Sequence, residues 1–323
     1  MARKLKGKTA SKGLKGALLN HLANEEKAKQ MKKREKHIAG RGKPTKQPLR
    51  QKEQQMNIGS GFVPFTSDST LLLVGEGDFS FAKSIIEQQC ILPENLIISS
   101  YDSGITELKL KYPNSFEENY DFLKENGVVM LFGIDATNMI KSMKLSKKSP
   151  WLKLVGNSWA MKKLEFILFN FPHTGRGVKD QDRNILEHQQ LVHKYFTSCK
   201  ELFKLVNNSQ KILGSRATMG GYLTNESSSV DTEGYGKVGL SVFSGEPYDS
   251  WQIKILAKDN GWKVEKSAKF DWSKFPGYHH KRTNSEMDTT KPAEEREARM
   301  YVFEMYNKRK HSKKPVKNDS DDE

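Results

Sequence analysis

Short, almost wholly apolar runs recur through the middle of the chain. They alternate with longer stretches in which apolar residues fall three and four positions apart. The short runs suit buried strands, and the longer pattern suits amphipathic helices. Strands are therefore predicted over 70–74, 95–101, 128–134, 164–169 and 237–243, and helices over 79–89, 105–112, 117–126, 181–206 and 250–260. Pro113 stops one helix and Gly127 closes the next. Two last strands, 262–270 and 298–306, are joined by a long loop. Strands without polar alternation, separated by helices, predict an α/β chain whose mostly parallel sheet is covered on both faces. The final pair adds an antiparallel edge. The stretch 214–236, rich in Gly, Ser, Asn and Thr, falls between a helix and its next strand and reads as a mobile surface insertion.

Charge divides the chain differently. Of 323 residues, 54 are Lys or Arg and 39 are Asp or Glu. Residues 1–54 hold 17 of the bases against 4 acids, and 307–323 hold 6 against 4, so 55–306 is neutral with 31 of each. A basic arm (1–56) too poor in apolar residues to fold alone, a neutral body (57–306) and a short charged tail (307–323) form the charge plan of a nucleic-acid partner. The arm reads both as a segment that orders on RNA and as a nuclear or nucleolar localisation signal. A mitochondrial presequence competes for the first 24 residues, but Arg3 is the one arginine before Arg34, and Glu25 and Glu26 follow closely. No apolar run reaches the roughly 18–20 residues that a membrane span needs. The two cysteines, Cys90 and Cys199, fit neither a disulfide framework nor a zinc site, so no metal is expected and a reducing compartment is.

Candidate chemistry sits where the predicted strands stop. Four successive strands run into Gly75-Glu76-Gly77-Asp78, Asp102, Asp135 and Asn170. In open α/β sheets, ligands bind at the carboxyl ends of the strands. Gly75 and Gly77 allow a ligand close to the backbone, with Phe79 and Ser80 opening the next helix. Ser80 replaces the third glycine of a dinucleotide fingerprint, and Glu76 and Asp78 would repel a pyrophosphate. S-adenosylmethionine has no phosphate and carries a cationic sulfonium and amine, which acidic side chains suit. Glu76 and Asp78 then either face the methionine moiety or orient the loop around it. Asp102 is placed to accept the ribose hydroxyls, and Asp135 the adenine amino group. Asn170-Phe171-Pro172-His173 ends the fourth strand, where amino-methylating enzymes carry an Asn or Asp, two prolines and an aromatic. Asn170 and Pro172 keep that pattern, and His173 replaces the aromatic.

GEGDFSF, SYD, FNFPH, SGEPYDSW and FPGYHHKRTN, with the opening MARKLKGKTASKGLKGALL, give the chain a resemblance to a family. It resembles the Rossmann-like methyltransferases that modify uridine N3 in large-subunit (25S) ribosomal RNA of fungi. The resemblance runs from residue 1 to about 306 and is weakest over 214–236. It implies a class I methyltransferase fold of seven strands, S-adenosylmethionine as donor, and ribosomal RNA within pre-60S particles as substrate. It also implies action in the nucleolus; a monomer is expected. Uridine N3 carries an imide proton that must leave, and His173, then Asp180, are the expected acceptors. Tyr278, His279, His280, Lys281 and Arg282 suit base stacking and phosphate contacts. Tyr195, Phe196 and Trp251 read as packing residues. The residues themselves leave two other readings open: a non-catalytic RNA-binding assembly factor that has kept the fold, and a nucleotide-dependent oxidoreductase.

Overall fold

The computed structural model describes residues 62–146, 150–217, 234–283, 285–288 and 292–306. The basic arm, the charged tail and all but the ends of the 214–236 insertion lie outside the described residues. Seven strands make one sheet: β1 (Leu71–Val74), β2 (Leu96–Ser99), β3 (Val129–Leu131), β4 (Phe166–Asn170), β5 (Lys237–Phe243), β6 (Trp262–Lys269) and β9 (Ala298–Met305). Their order is β3-β2-β1-β4-β5-β9-β6. The first five are mutually parallel, and β9 runs antiparallel to both neighbours. The antiparallel strand therefore lies one place in from the edge expected for it, because β9, last in sequence, inserts between β5 and β6. A separate two-stranded ribbon, β7 (Lys281–Arg282) with β8 (Ser285–Asp288), occupies part of the expected loop.

Alternate residues of each parallel strand feed opposite faces. Leu72, Val74 and Ile97 join one core, while Leu71, Leu73, Leu96 and Ile98 join the other. Helix α6 (Gln181–Ala217) covers the first face. Its residues Val192, Tyr195, Phe196, Cys199 and Phe203 fall at helical spacing and are fully buried. On the second face lie α1 (Ser80–Glu87) and α3 (Phe116–Glu125), which contribute Phe81, Ile85, Phe116 and Leu123. The packing roles expected of Tyr195, Phe196 and Trp251 hold, each being at most 1% exposed. Tyr195 Oη also reaches the carbonyls of Ile167 and Gly239, bridging β4 and β5 from within the core.

Three element boundaries differ from expectation, each for a local reason. The third strand stops at Leu131, because Gly133 turns left-handed (φ 69°) and its N–H donates to the Asp102 carbonyl at 2.7 Å. The helix expected over 250–260 is a 3-10 turn, Asp249–Trp251, followed by α7 (Ile253–Asp259), with Gln252 at φ 54° between them. Helix α6 continues eleven residues past Val206, where the apolar pattern gives out. It is not capped there, because Asn207 turns inward. Its Oδ1 accepts from Leu164 N–H at 2.9 Å, and its Nδ2 donates to the carbonyls of Leu164 (2.9 Å) and Gly234 (2.6 Å).

Asn207 is 2% exposed, so its removal would leave those backbone groups unpaired in the interior. Asn207→Ala should lower unfolding stability by roughly 3 kcal/mol in urea titrations, the sum of lost bonds and orphaned groups. A change below about 0.5 kcal/mol would contradict this tie.

Candidate active site

The register of β1 with β2 and β4 brings their carboxyl tips to one side, and a cavity of about 750 Å³ opens there. Its floor is the turn from β1 into α1. Gly75 has φ +71°, and a Cβ on it would stand 2.5 Å from Phe169 Cε2; one on Gly77 would stand 3.0 Å from Tyr112 Oη. Asp78 is buried, and both its carboxylate oxygens are used: Oδ1 accepts from Ser80 N–H (3.1 Å) and Ser80 Oγ (2.7 Å), Oδ2 from Ser115 Oγ (3.0 Å). Asn119 Nδ2 donates to its carbonyl at 2.9 Å. Of the two roles open to Asp78, the geometry matches orientation of the loop. Phe79 and Ser80 do not line the cavity. The Phe79 ring is fully buried against Phe116, and the Ser80 hydroxyl is spent on Asp78.

Glu76 does line the cavity, and it is 7% exposed. Burial raises its pKa to about 8, Asp78 adds to the rise, and a hydrogen bond from Ala82 N–H opposes it. Asp102 at the tip of β2 lines the same space, its Oδ1 paired with Lys111 Nζ. Burial raises the Asp102 pKa, with Lys111 pulling the other way. Asp135 reaches the cavity from the loop beyond β3, not from a strand end. Its Oδ1 accepts from Thr137 N–H (2.8 Å) and Thr137 Oγ1 (2.7 Å), which makes an Asx turn where the sequence pattern predicts a strand terminus.

Asn170 lies opposite Ser241 in the β4–β5 register, and Ser241 Oγ donates to its Oδ1 at 2.7 Å. Its Nδ2 is buried without a hydrogen-bond partner. Phe171 then takes φ 48°, and the chain leaves the sheet. His173 Nδ1 accepts from Gly175 N–H at 2.9 Å, so in the neutral ring the proton sits on Nε2. His173 is exposed, yet partial withdrawal of the ring from water, and then the neighbouring His188, lower its pKa. His188, which sequence reasoning missed, is 1% exposed and stacks on Trp251 at 4.6 Å. Its Nδ1 donates to Asn184 O (2.7 Å) and its Nε2 accepts from Thr174 N–H (3.4 Å), so the neutral tautomer is fully satisfied. Asp180 lines neither cavity; it accepts from Arg183 N–H at the start of α6 and serves as a cap. Glu187, also missed, lines the cavity with Oε2 buried and unpartnered. It lies on the exposed-looking first turns of a long helix, where a lone Glu carries no sequence signal.

The segment 278–283 folds back over the site. Tyr278, His279, His280, Lys281 and Thr283 line the large cavity with the strand tips, and Tyr112 Oη donates to the carbonyls of Arg282 (3.2 Å) and Thr283 (3.3 Å). Tyr278 is no stacking platform here. It is 8% exposed, packed between Phe81 and Trp272, and burial and the nearby Glu76 and Asp78 push its phenol pKa well up. His280 packs on Phe171 at 4.8 Å. Pro172 and Arg282 line a second, adjoining cavity of about 560 Å³. Among the described residues no group of three or more His, Cys, Asp or Glu is arranged to hold a metal ion, and no helix is long and apolar enough to cross a membrane.

This sheet order, with its single antiparallel strand and a cavity at the parallel tips, defines a Rossmann-like class I methyltransferase fold. Residues 72–282 match the family described as rRNA (uridine-N3-)-methyltransferase BTM5-like, and the chain belongs to that family. It is 49% identical to the 25S rRNA (uridine(2634)-N(3))-methyltransferase of Saccharomyces cerevisiae, over 100% of this chain and 99% of that one. An uncharacterized Arabidopsis thaliana protein is 27% identical over 68% of this chain and 84% of its own. Among solved structures, a 30S ribosomal A1408 methyltransferase from an uncultured bacterium is 8% identical, with a TM-score of 0.32 over 82% of this chain and 97% of that one; the likeness is too low to carry an argument.

Glu76 makes the site pH-sensitive in a defined direction. Its pKa is about 8 folded against 4.5 for the free group, so between those values the folded state holds a proton that the unfolded state has lost. The stability this contributes is complete below about pH 4.5 and is lost as pH rises through about 8. Glu76→Gln, which keeps the shape without the titration, should lose less of its melting temperature between pH 5 and pH 9 than the unsubstituted protein. Equal losses in the two proteins would refute the assignment.

Proposed function

We propose that this protein transfers the methyl group of S-adenosylmethionine to N3 of a uridine in large-subunit (25S) ribosomal RNA, working as a monomer on pre-60S particles in the nucleolus. The residues present fit the donor. Acidic residues line the large cavity, Asp102 and Asp135 among them; Glu76, protonated below about pH 8, adds a polar hydroxyl rather than a charge, and the two glycines leave room beside the backbone. When bound, S-adenosylmethionine supplies an electrophilic methyl group on a cationic sulfur. The basic arm supports an RNA substrate and the nucleolar location.

The observation that carries the choice of uridine is that two residues lining the cavity, Asn170 and Glu187, each hold a buried polar atom without a hydrogen-bond partner, which a small side-chain rotation would turn toward a base. Asn170 Nδ2 is an unpartnered donor and Glu187 Oε2 an unpartnered acceptor; the neutral His173 ring adds a donor at Nε2. Uracil presents the complement along one edge: carbonyl O2, N3–H and carbonyl O4. Cytosine has no proton on N3 and an amino group at C4, so it mismatches two of the three. The base reaches the cavity only when unstacked from its helix. Asn170 and His173 orient its carbonyls, and Glu187 takes the imide proton as N3 attacks. The acceptor role expected of His173 therefore passes to Glu187, because the His173 nitrogen that could accept is already bonded to Gly175 N–H.

Nucleoside mass spectrometry of ribosomal RNA from cells with and without the protein tests the activity: N3-methyluridine should vanish from one large-subunit position. Its persistence at the full level would sink the proposal. The division of roles has its own test. Glu187→Gln should lower kcat by about 100-fold, the low end of acid–base catalysis. His173→Gln, which restores a donor near Nε2, should retain more activity than His173→Ala. Were His173 the base, those two variants would be equally impaired.

A further inference from the structure

The two adjoining cavities differ in charge. The larger is lined by six Asp or Glu residues against four Lys or Arg. The smaller, which shares Phe171, His173 and His280 with it, is lined by Lys281, Arg282 and Arg296 and by no Asp or Glu. With Glu76 protonated below about pH 8 and Lys111 paired with Asp102, the two signs nearly balance in the first, whereas the second favours an anion. Arg296 is held in place for this. Its guanidinium lies 3.6 Å over the Phe243 ring and 5.3 Å from the centre of the Tyr248 ring, and Nη2 donates to Tyr248 Oη at 3.0 Å. Among the described residues no carboxylate pairs with it. An arginine fixed by aromatic contacts, rather than neutralised by an acid, keeps its remaining N–H donors and its charge for a ligand, and planar guanidinium donors match phosphate oxygens.

We propose that the smaller cavity is the seat of the RNA strand next to the target base, with Arg296 on a backbone phosphate. The inference rests on the uridine methyltransferase reading above and deepens it. A base entering the large cavity toward Asn170 and His173 must bring its own sugar and phosphates. The shared wall at Phe171, His173 and His280 makes the smaller cavity the adjoining compartment for them. Tyr248 belongs to the segment Gly245-Glu246-Pro247-Tyr248-Asp249, which follows β5. Here it is a positioning residue for Arg296.

The test uses the full chain and a ten-residue oligouridylate, with binding measured from 50 to 200 mM salt. Arg296→Ala should reduce the slope of log K against log salt by about 0.7, one single-strand phosphate contact. It should also raise KM for the RNA at least tenfold, while melting temperature and S-adenosylmethionine affinity stay unchanged. Arg296→Lys should restore the slope, and Tyr248→Phe, which loosens Arg296 without removing its charge, should raise KM less than Arg296→Ala. An unchanged slope in Arg296→Ala, or loss of cofactor affinity along with RNA affinity, would overturn the assignment. If the unsubstituted protein binds the oligomer but methylates no uridine, the functional reading fails while the slope still decides the phosphate site.

Discussion

Asp78 is removed from water, and its two carboxylate oxygens are met by Ser80 N–H, Ser80 Oγ and Ser115 Oγ. These donors come from the starts of two helices, α1 and α3, and Asn119 of α3 holds the Asp78 carbonyl as well. One charged side chain thus clamps the Gly75–Gly77 turn to the helices beneath it. Charge-assisted bonds of this kind are short and strong, and a buried network pays off only when every member is satisfied. The clamp fixes the turn that carries Glu76 and floors the cavity.

Much of the scaffold was legible in the sequence because its physics is local. Runs such as Leu71–Val74 and residues 166–169 are apolar at every position on both faces, which only a doubly covered strand requires. The residues that line the cavity at the tips of β1, β2 and β4 were equally readable. What escaped depended on bonds across the chain. Asp135 looks like a strand terminus, but Gly133 has already turned the backbone and the carboxylate closes its own Asx turn. Tyr278 sits in a polar, basic segment that reads as a surface loop, yet Phe81 and Trp272, far off in sequence, draw it inward. Arg296 and Glu187 belong to ordinary charged stretches. Only the fold shows that one is held by aromatics and the other faces a cavity.

The residues shared by the two cavities have to serve both. Phe171 stacks on Phe243 and on Trp272 at 4.5 and 5.5 Å, and His280 packs against it. This aromatic wall separates an acid-lined space from a base-lined one. The histidine pair lies at the same junction. His188 is neutral, satisfied and stacked on Trp251, so it acts as a fixed support for the loop that carries His173. The strained φ of Phe171 and the turn at Gly175 belong to that loop, where local strain is compensated by the packing around it.

Tyr112 gives the molecule a dependency that runs across its length. Its phenol rests against the position a side chain would need at residue 77, and its single proton is shared between two carbonyls 170 residues further on. A bulkier group at 77 would push the ring, and a displaced ring would release the ribbon that carries Lys281 and Arg282. Change at any of these points must be matched at the others for the roof to stay shut. Positions 77, 112 and 282–283 should therefore drift as a linked set among descendants of this chain, so that a lineage abandoning the phenol must find another latch.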